Sequence, residues 1–449
     1  MKIHPLSLQN TIQAVNCFFS SSISFLYFHS AKINQCMKPS SFVTHLECLV
    51  CGKTFPHKNI FTCPDCGVQG ILDVQYNYDK ISQHLTPNTL NLRPLNHWRY
   101  RELLPIAENI PLPHLHIGWT PIYDVPRLAK EIGIQKLFIK DDGRNASSSF
   151  KDRASSIGVL KAMEFGFNKI ACASTGNAAS SLAGLSAAVG LQSFIFVPKH
   201  APEPKVTQLL IFGATVFKVQ GTYDDAFELC RASCGKFGWY NRNSGTNPFL
   251  VEGKKTAGLE IAEQMKDNLP DWVVVSVGDG CTIGSIGKGL QEMKRLGFIE
   301  RVPRLLGVQA EGARPIVDAL YSGNDLLPAQ TKTLADSIDV GVPRNWRRAI
   351  QQIKLSNGEM ITVEDEEILE AMRQTGKLTG VFGEPAGIAC VAGLKNAIAK
   401  GMVKPNESAV CVITGNGLKD IRSAQSAVGE ALNVEPNIGA VEEMLLKKY

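Results

Sequence analysis

Ser147-Ser148-Ser149-Phe150-Lys151-Asp152-Arg153 lies between a strand-like run, Lys136-Leu137-Phe138-Ile139-Lys140, and a helical one, Ala154 through Met163. Strand, polar loop and helix in that order form the first half of a βαβ unit, the building block of a parallel sheet covered by helices. Lys151 stands at the junction with neighbours too small to cover it, so its amine can face a cleft and hold a Schiff base. The plainer reading is a helix N-terminus capped by Ser149 with Lys151 solvated. These seven residues alone favour the plainer reading.

Outward from this stretch the alternation continues. Strands are predicted at 137–140, 169–173, 193–197, 215–219, 272–277, 304–309 and 409–413, with helices at 153–164, 177–189, 203–212, 223–237, 254–266, 284–296, 313–320 and 364–374. That pattern predicts an α/β protein with parallel strands, and the span is too long for one sheet, so it divides into two open α/β domains. The large one takes 77–141 and 243–449, and the small one 142–242. Ligands of such folds bind beyond the carboxyl ends of the strands.

Three more loops there carry unusual residues. Ser174-Thr175-Gly176-Asn177 offers hydroxyls and a helix N-terminus suited to a carboxylate or phosphate, with simple capping as the plainer alternative. Gly278-Asp279-Gly280-Cys281-Thr282 follows the apolar run Val273-Val274-Val275-Ser276-Val277 and can aim backbone amides at a phosphate. It lacks the Gly-Lys-Ser/Thr of a Walker loop, and no acidic residue follows at the spacing of a dinucleotide fingerprint, which leaves a monophosphate. Thr414-Gly415-Asn416-Gly417 ends the last predicted strand, where the Thr414 hydroxyl can bond a ring nitrogen without fully protonating it.

Ahead of these lies Cys48-Leu49-Val50-Cys51-Gly52 and then Cys63-Pro64-Asp65-Cys66-Gly67. Two C-x2-C knuckles put four thiolates within reach of one tetrahedral ion, and each following glycine lets its knuckle turn tightly. With all positions taken by sulfur, zinc would staple a small ribbon, residues 44–76, rather than catalyse. A redox C-x2-C site would need only one pair in another context. Most of the other cysteines (Cys172, Cys390, Cys411) sit in apolar strand or helix patterns, which is reduced, cytoplasmic usage. Residues 1–43 read as a disordered tail, or as an upstream start before Met37; Phe18 to Phe28 is a weak, serine-broken imitation of a signal segment.

The composition is ordinary for a globular protein, 44% hydrophobic and 20% charged over 449 residues. A net charge of +5 with scattered lysines makes no case for nucleic acid or a membrane surface. No apolar run approaches the ~20 residues of a bilayer span.

Lysine, phosphate cradle, polar loop and hydroxyl together are what pyridoxal phosphate needs. Gly118-Trp119-Thr120-Pro121, Ser149-Phe150-Lys151-Asp152-Arg153, Ser174-Thr175-Gly176-Asn177, Glu252-Gly253-Lys254-Lys255-Thr256, Glu384-Pro385-Ala386 and Thr414-Gly415-Asn416-Gly417-Leu418-Lys419-Asp420 occur in the order and spacing of threonine synthases. The chain thus resembles that family of fold-type II pyridoxal-phosphate enzymes over about 118–425, and a zinc-ribbon front end also occurs in some members. The resemblance implies that Lys151 forms the imine, Asn177 bonds the cofactor's 3′ oxygen, Gly278 through Thr282 wrap its phosphate and Thr414 faces its pyridine nitrogen. Ser174 and Thr175 would receive the substrate carboxylate, and Asn243-Ser244 resembles the stretch that holds the substrate's own phosphate. A homodimer is implied as well.

Two departures stand out. Members usually read Asn-Pro-Thr-Gly-Ser where this chain has Asn145-Ala146-Ser147-Ser148-Ser149. An arginine is expected after Asn243-Ser244, but the chain gives Asn247-Pro248-Phe249-Leu250-Val251, leaving Arg242, Lys254 or Lys255 to take the phosphate. The implied reaction is O-phospho-L-homoserine and water to L-threonine and phosphate. Alternatives are threonine dehydratase or cysteate synthase chemistry on the same fold, or a zinc-ribbon binding protein with an inactive enzyme domain.

Overall fold

The computed structural model describes residues 37–243 and 245–448. Its centre is the strand Trp272–Ser276, buried at every residue, with Val273 and Val275 in one hydrophobic core and Trp272 and Val274 in the other. A strand covered on both faces requires a continuous apolar run, and Trp-Val-Val-Val-Ser supplies it. The six-stranded sheet around it runs Glu359–Val363, Arg304–Ala310, Trp272–Ser276, Ser408–Ile413, Lys136–Asp141, Ile122–Asp124. All its pairings are parallel except the last, where Ile122–Asp124 forms an antiparallel edge. A second sheet, parallel throughout, runs Thr215–Val219, Gln192–Pro198, Lys169–Ala173, Tyr240–Asn241. The α/β architecture of two open parallel sheets is as expected.

The helix Lys151–Glu164 joins the two halves, packing on Phe249–Lys254 on one side and Asn177–Val189 on the other. Gly253 permits this approach: a Cβ there would collide with the Arg153 carbonyl. The strand Glu359–Val363 and the helices Trp346–Leu355 and Pro385–Ala399 have no counterpart in the sequence reading. Pro385–Ala399 escapes it because its small apolar residues run all round the helix, which lies buried against the sheet, so no amphipathic period marks it.

The front end is a three-stranded antiparallel sheet, Thr54–Phe55, Val43–Cys48, Leu72–Tyr76. The ligand atoms of Cys48, Cys51, Cys63 and Cys66 all lie within 4.8 Å of one another. Gly52 and Gly67 take φ of 71° and 59°, and their amides return to the Cys48 and Cys63 carbonyls at 2.9 Å. Of the tail expected over 1–43, residues 1–36 lie outside the described residues. Within residues 37–43, the Lys38 carbonyl accepts from the Glu108 amide at 2.8 Å and that of Phe42 from Asn77 at 2.9 Å, and the first strand begins at Val43.

This small sheet is fastened to the rest of the protein by buried charge. Asp73 meets Lys288 at 2.9 Å and also Arg348; Tyr76 Oη donates to Glu252 at 2.8 Å, and Lys288 reaches Glu252 at 2.7 Å. Among the described residues no helix is long and apolar enough to cross a membrane.

Candidate active site

Lys151 is placed by its two neighbours. Asp152 accepts from the Ser147 amide at 2.6 Å and hydroxyl at 2.5 Å, tying the loop to the first helical turn. Arg153 bonds Asp142 at 2.6 Å and Glu260 at 2.5 Å, and Lys140 meets Glu260 at 2.8 Å, all with fully buried side chains. Charges buried this deeply are tolerated only when paired and well oriented, and here two cations meet two carboxylates. The Phe150 amide donates to the Thr414 carbonyl at 2.8 Å, docking the lysine loop on the last strand's end. The helix therefore begins at Lys151 itself. Ser149 does not cap it, since Phe150 is the N-cap residue and the Ser149 hydroxyl is buried without a partner. Lys151 is half-buried, and among the described residues no hydrogen bond or ion pair engages its ammonium. Burial, then Lys254 and Arg242, bring its pKa down to about 8.

Lys151 lines a cavity of about 700 Å³ together with Ser174, Thr175, Asn177, Asn243, Gly278, Asp279, Gly280, Cys281, Thr282 and Thr414. The residues singled out by sequence from loops up to 260 positions apart thus share one cleft; Ser244 lies outside the described residues. Gly280 has φ of 85°, and a Cβ there would lie 2.8 Å from the Asn345 carbonyl oxygen. The helix Cys281–Arg295 that follows has no side-chain cap, so its first amides remain without partners of the helix's own. Such a start suits a phosphate. Asp279 turns its carboxylate to the Arg344 amide at 2.6 Å and the Cys281 thiol at 3.2 Å, which leaves only its backbone for that role.

Other side chains have partners of their own. Asn177 Nδ2 donates to Glu384 at 2.7 Å. Asn243 Oδ1 accepts from the Ala173 amide at 3.0 Å, so this residue also anchors the end of the strand Lys169–Ala173. Phe249, Leu250 and Val251 are core residues, at most 1% exposed. Lys255 is absent from the cavity lining and sits between Glu252 at 2.5 Å and Glu292 at 2.9 Å, so it is not placed to receive a ligand.

Sequence reasoning assigned no role to two lining residues, Glu384 and Arg344. Glu384 is buried, and desolvation raises its carboxyl to about 7 against the opposing pull of Lys151. Its signal was present in Glu384-Pro385-Ala386, an acid directly before a proline-led helix. Arg344 has no local signal at all.

The description "pyridoxal-phosphate dependent enzyme" belongs to a family model that matches residues 114–415. Threonine synthase of Methanosarcina acetivorans is 39% identical over 408 residues, covering 90% of this chain and 99% of that protein. The chain belongs to the threonine synthases. The Methanocaldococcus jannaschii member is 37% identical over 403 residues, 89% of this chain and 98% of its own. Among solved structures, a fungal L-serine ammonia-lyase from Rhizomucor miehei superposes with a TM-score of 0.62 at 18% identity, over 70% of this chain and 98% of that one; it shows the shared fold. Both threonine synthases are matched over nearly their whole length.

Proposed function

We propose that this threonine synthase converts O-phospho-L-homoserine and water into L-threonine and phosphate, with Lys151 as the covalent and proton-moving residue. The observation that carries the reading is the unpaired Lys151 ammonium in a cavity shared with an uncapped helix start and a neutral hydroxyl at Thr414. Gly278 through Thr282 would hold the cofactor's phosphate through their backbone, and Asn177 and Thr414 would hold its ring. When bound, pyridoxal phosphate supplies an electron sink for negative charge at the substrate's Cα. Lys151 Nζ, held near neutral pKa, takes the Cα proton as base and returns protons as acid. Ser174, Thr175 and the helix start behind them receive the substrate carboxylate. Thr414, a neutral partner, would leave the ring nitrogen unprotonated, which would moderate that sink.

The four front-end cysteines suit a structural zinc ion, since four sulfurs leave no open position. All ten described cysteines are free, which supports a reducing, cytoplasmic setting. A homodimer is part of this reading.

Purified enzyme should release phosphate from O-phospho-L-homoserine and form threonine. Lys151→Ala should lose the bound cofactor's visible absorbance and at least about a thousandfold in kcat. Keto acid from threonine, or turnover of phosphoserine in place of phosphohomoserine, would instead assign dehydratase or cysteate synthase chemistry.

A further inference from the structure

Besides Lys151, two cations of the cavity have no anionic partner among the described residues. Lys254 ends the helix Phe249–Lys254 at 1% exposure, yet among the described residues neither a hydrogen bond nor an ion pair engages its ammonium. Arg344 comes from ninety residues further on. Its side chain crosses Gly245, where a Cβ would lie 2.6 Å from Arg344 Cδ, and its guanidinium carbon sits 4.6 Å from the centre of the Phe227 ring. Its backbone is fixed by Asp279, and neighbouring Asn345 Nδ2 donates to the Gly245 carbonyl at 3.1 Å. No carboxylate meets the Arg344 guanidinium among the described residues. A buried ammonium without a counter-charge costs several kcal/mol, so a fold that keeps one beside a cavity is built for an anion that arrives.

We propose that Lys254 and Arg344 form the subsite for the substrate's phosphate group, Arg344 filling from a distant loop the place of the arginine missing after Asn243. This rests on the phosphohomoserine reading above. Gly245 directly follows Asn243-Ser244, so Arg344 packs against the same loop. A phosphate monoester carries about −1.5 to −2 charges at neutral pH, which two cations balance. The planar guanidinium, stacked on Phe227, can take two phosphate oxygens at once, while the ammonium acts as a point charge. The cofactor's phosphate is the other anion that could come here, but the uncapped start of Cys281–Arg295 already offers it backbone amides.

The test uses cofactor-loaded enzyme, with inorganic phosphate as a calorimetric probe and steady-state kinetics on phosphohomoserine. Lys254→Gln and Arg344→Gln should each weaken phosphate binding and raise KM at least about tenfold, the expected value of a hydrogen bond to a charged group. Affinity for L-homoserine, which lacks the phosphate, should stay within about twofold, as should cofactor affinity measured by absorbance titration of the apoprotein. Arg344→Lys should recover part of the loss, which a merely structural arginine would not allow. Unchanged phosphate affinity in both Gln variants overturns the proposal. Loss of cofactor affinity in place of phosphate affinity also overturns it and gives the cations to the cofactor. Phosphate binding that needs both side chains, in an enzyme inert toward phosphohomoserine, upholds the anion subsite and removes the reaction assigned above.

Discussion

Cations of the interior and of the cleft fall into two sets that behave in opposite ways. At the seam between the cysteine-bearing sheet and the body, Lys255, Lys288 and Arg348 meet Asp73, Glu252 and Glu292, and under the lysine loop Arg153 and Lys140 meet Asp142 and Glu260. In the cavity Lys151, Lys254 and Arg344 meet no carboxylate among the described residues. Paired charges hold geometry: they fix where helices start and where the ribbon docks. Unpaired ones leave positive charge in the cleft, where Lys254 adds to the burial that already lowers the Lys151 pKa. Reading which buried charges lack partners therefore separates scaffold from chemistry.

Breaking the paired set should have the largest effect. Asp73→Asn removes the carboxylate that joins the ribbon strand Leu72–Tyr76 to Lys288 and Arg348, leaving Arg348 buried without a counter-charge. A loss of about 3–5 kcal/mol in denaturant unfolding is expected. The two cations hold the Asp73 carboxyl well below the usual range. Its contribution is thus fully present above pH ~4 and fades as pH falls further, so wild type and variant should converge in acid. A variant as stable as wild type at neutral pH would mean the seam is ornamental and the comparison empty. Arg348 also packs on Gly284 in the helix Cys281–Arg295, which the proposed reading assigns to the cofactor's phosphate, so cofactor affinity should weaken with the seam.

How much of this was legible beforehand follows the same division. Lys151, the loops at 174–177, 278–282 and 414, and the paired cysteine knuckles were readable because each puts rare chemistry at a strand end or a fixed spacing. Which cations are paired was not readable, since Lys255 and Lys254 are adjacent in sequence and opposite in fate. Arg344 is set beside Gly245 only by tertiary approach, and nothing local to Pro343-Arg344-Asn345 announces it. Ser149 looked like a helix cap, and the loop's docking on Thr414 moved the helix start past it. The departure at Phe249–Val251 looked like lost substrate chemistry and is core packing against the lysine helix.

Glu384 sharpens the unpaired side from the acidic direction. Burial raises its carboxyl from 4.5 to about 7 even with Lys151 nearby. The folded apoprotein therefore keeps the proton longer than the unfolded chain, and ionisation subtracts stability as pH rises from about 4.5 to 7, in full above that. Glu384→Gln keeps an acceptor for Asn177 and never ionises. Its apoprotein should match wild type below pH ~4.5 and exceed it by about 3 kcal/mol above pH ~7, read from denaturant midpoints across pH. Equal stability at high pH would show that Glu384 has a compensating cation and belongs to the paired set.

The smallest effect concerns how rigidly the scaffold presents Lys151. Ser148, where threonine synthases usually place glycine, adopts φ of 62°, a left-handed conformation that costs a residue with a Cβ about 1–2 kcal/mol. The conformation is enforced from both sides, by the Ser148 amide on the Asn145 carbonyl at 2.8 Å and by the Asn416 amide on the Ser148 carbonyl at 3.1 Å. Ser148→Gly relieves the strain but loosens the unfolded chain by about 0.4–1 kcal/mol, so a net gain of roughly 0.5–1 kcal/mol is expected. Ser148→Ala, which keeps the Cβ, should leave stability close to wild type. A gain with alanine as large as with glycine would point to the half-buried Ser148 hydroxyl rather than the backbone as the source of strain. If glycine stabilises while kcat holds, the loop's paired anchors at Asp152 and Arg153 alone suffice to aim Lys151, and the serine contributes nothing to its placement.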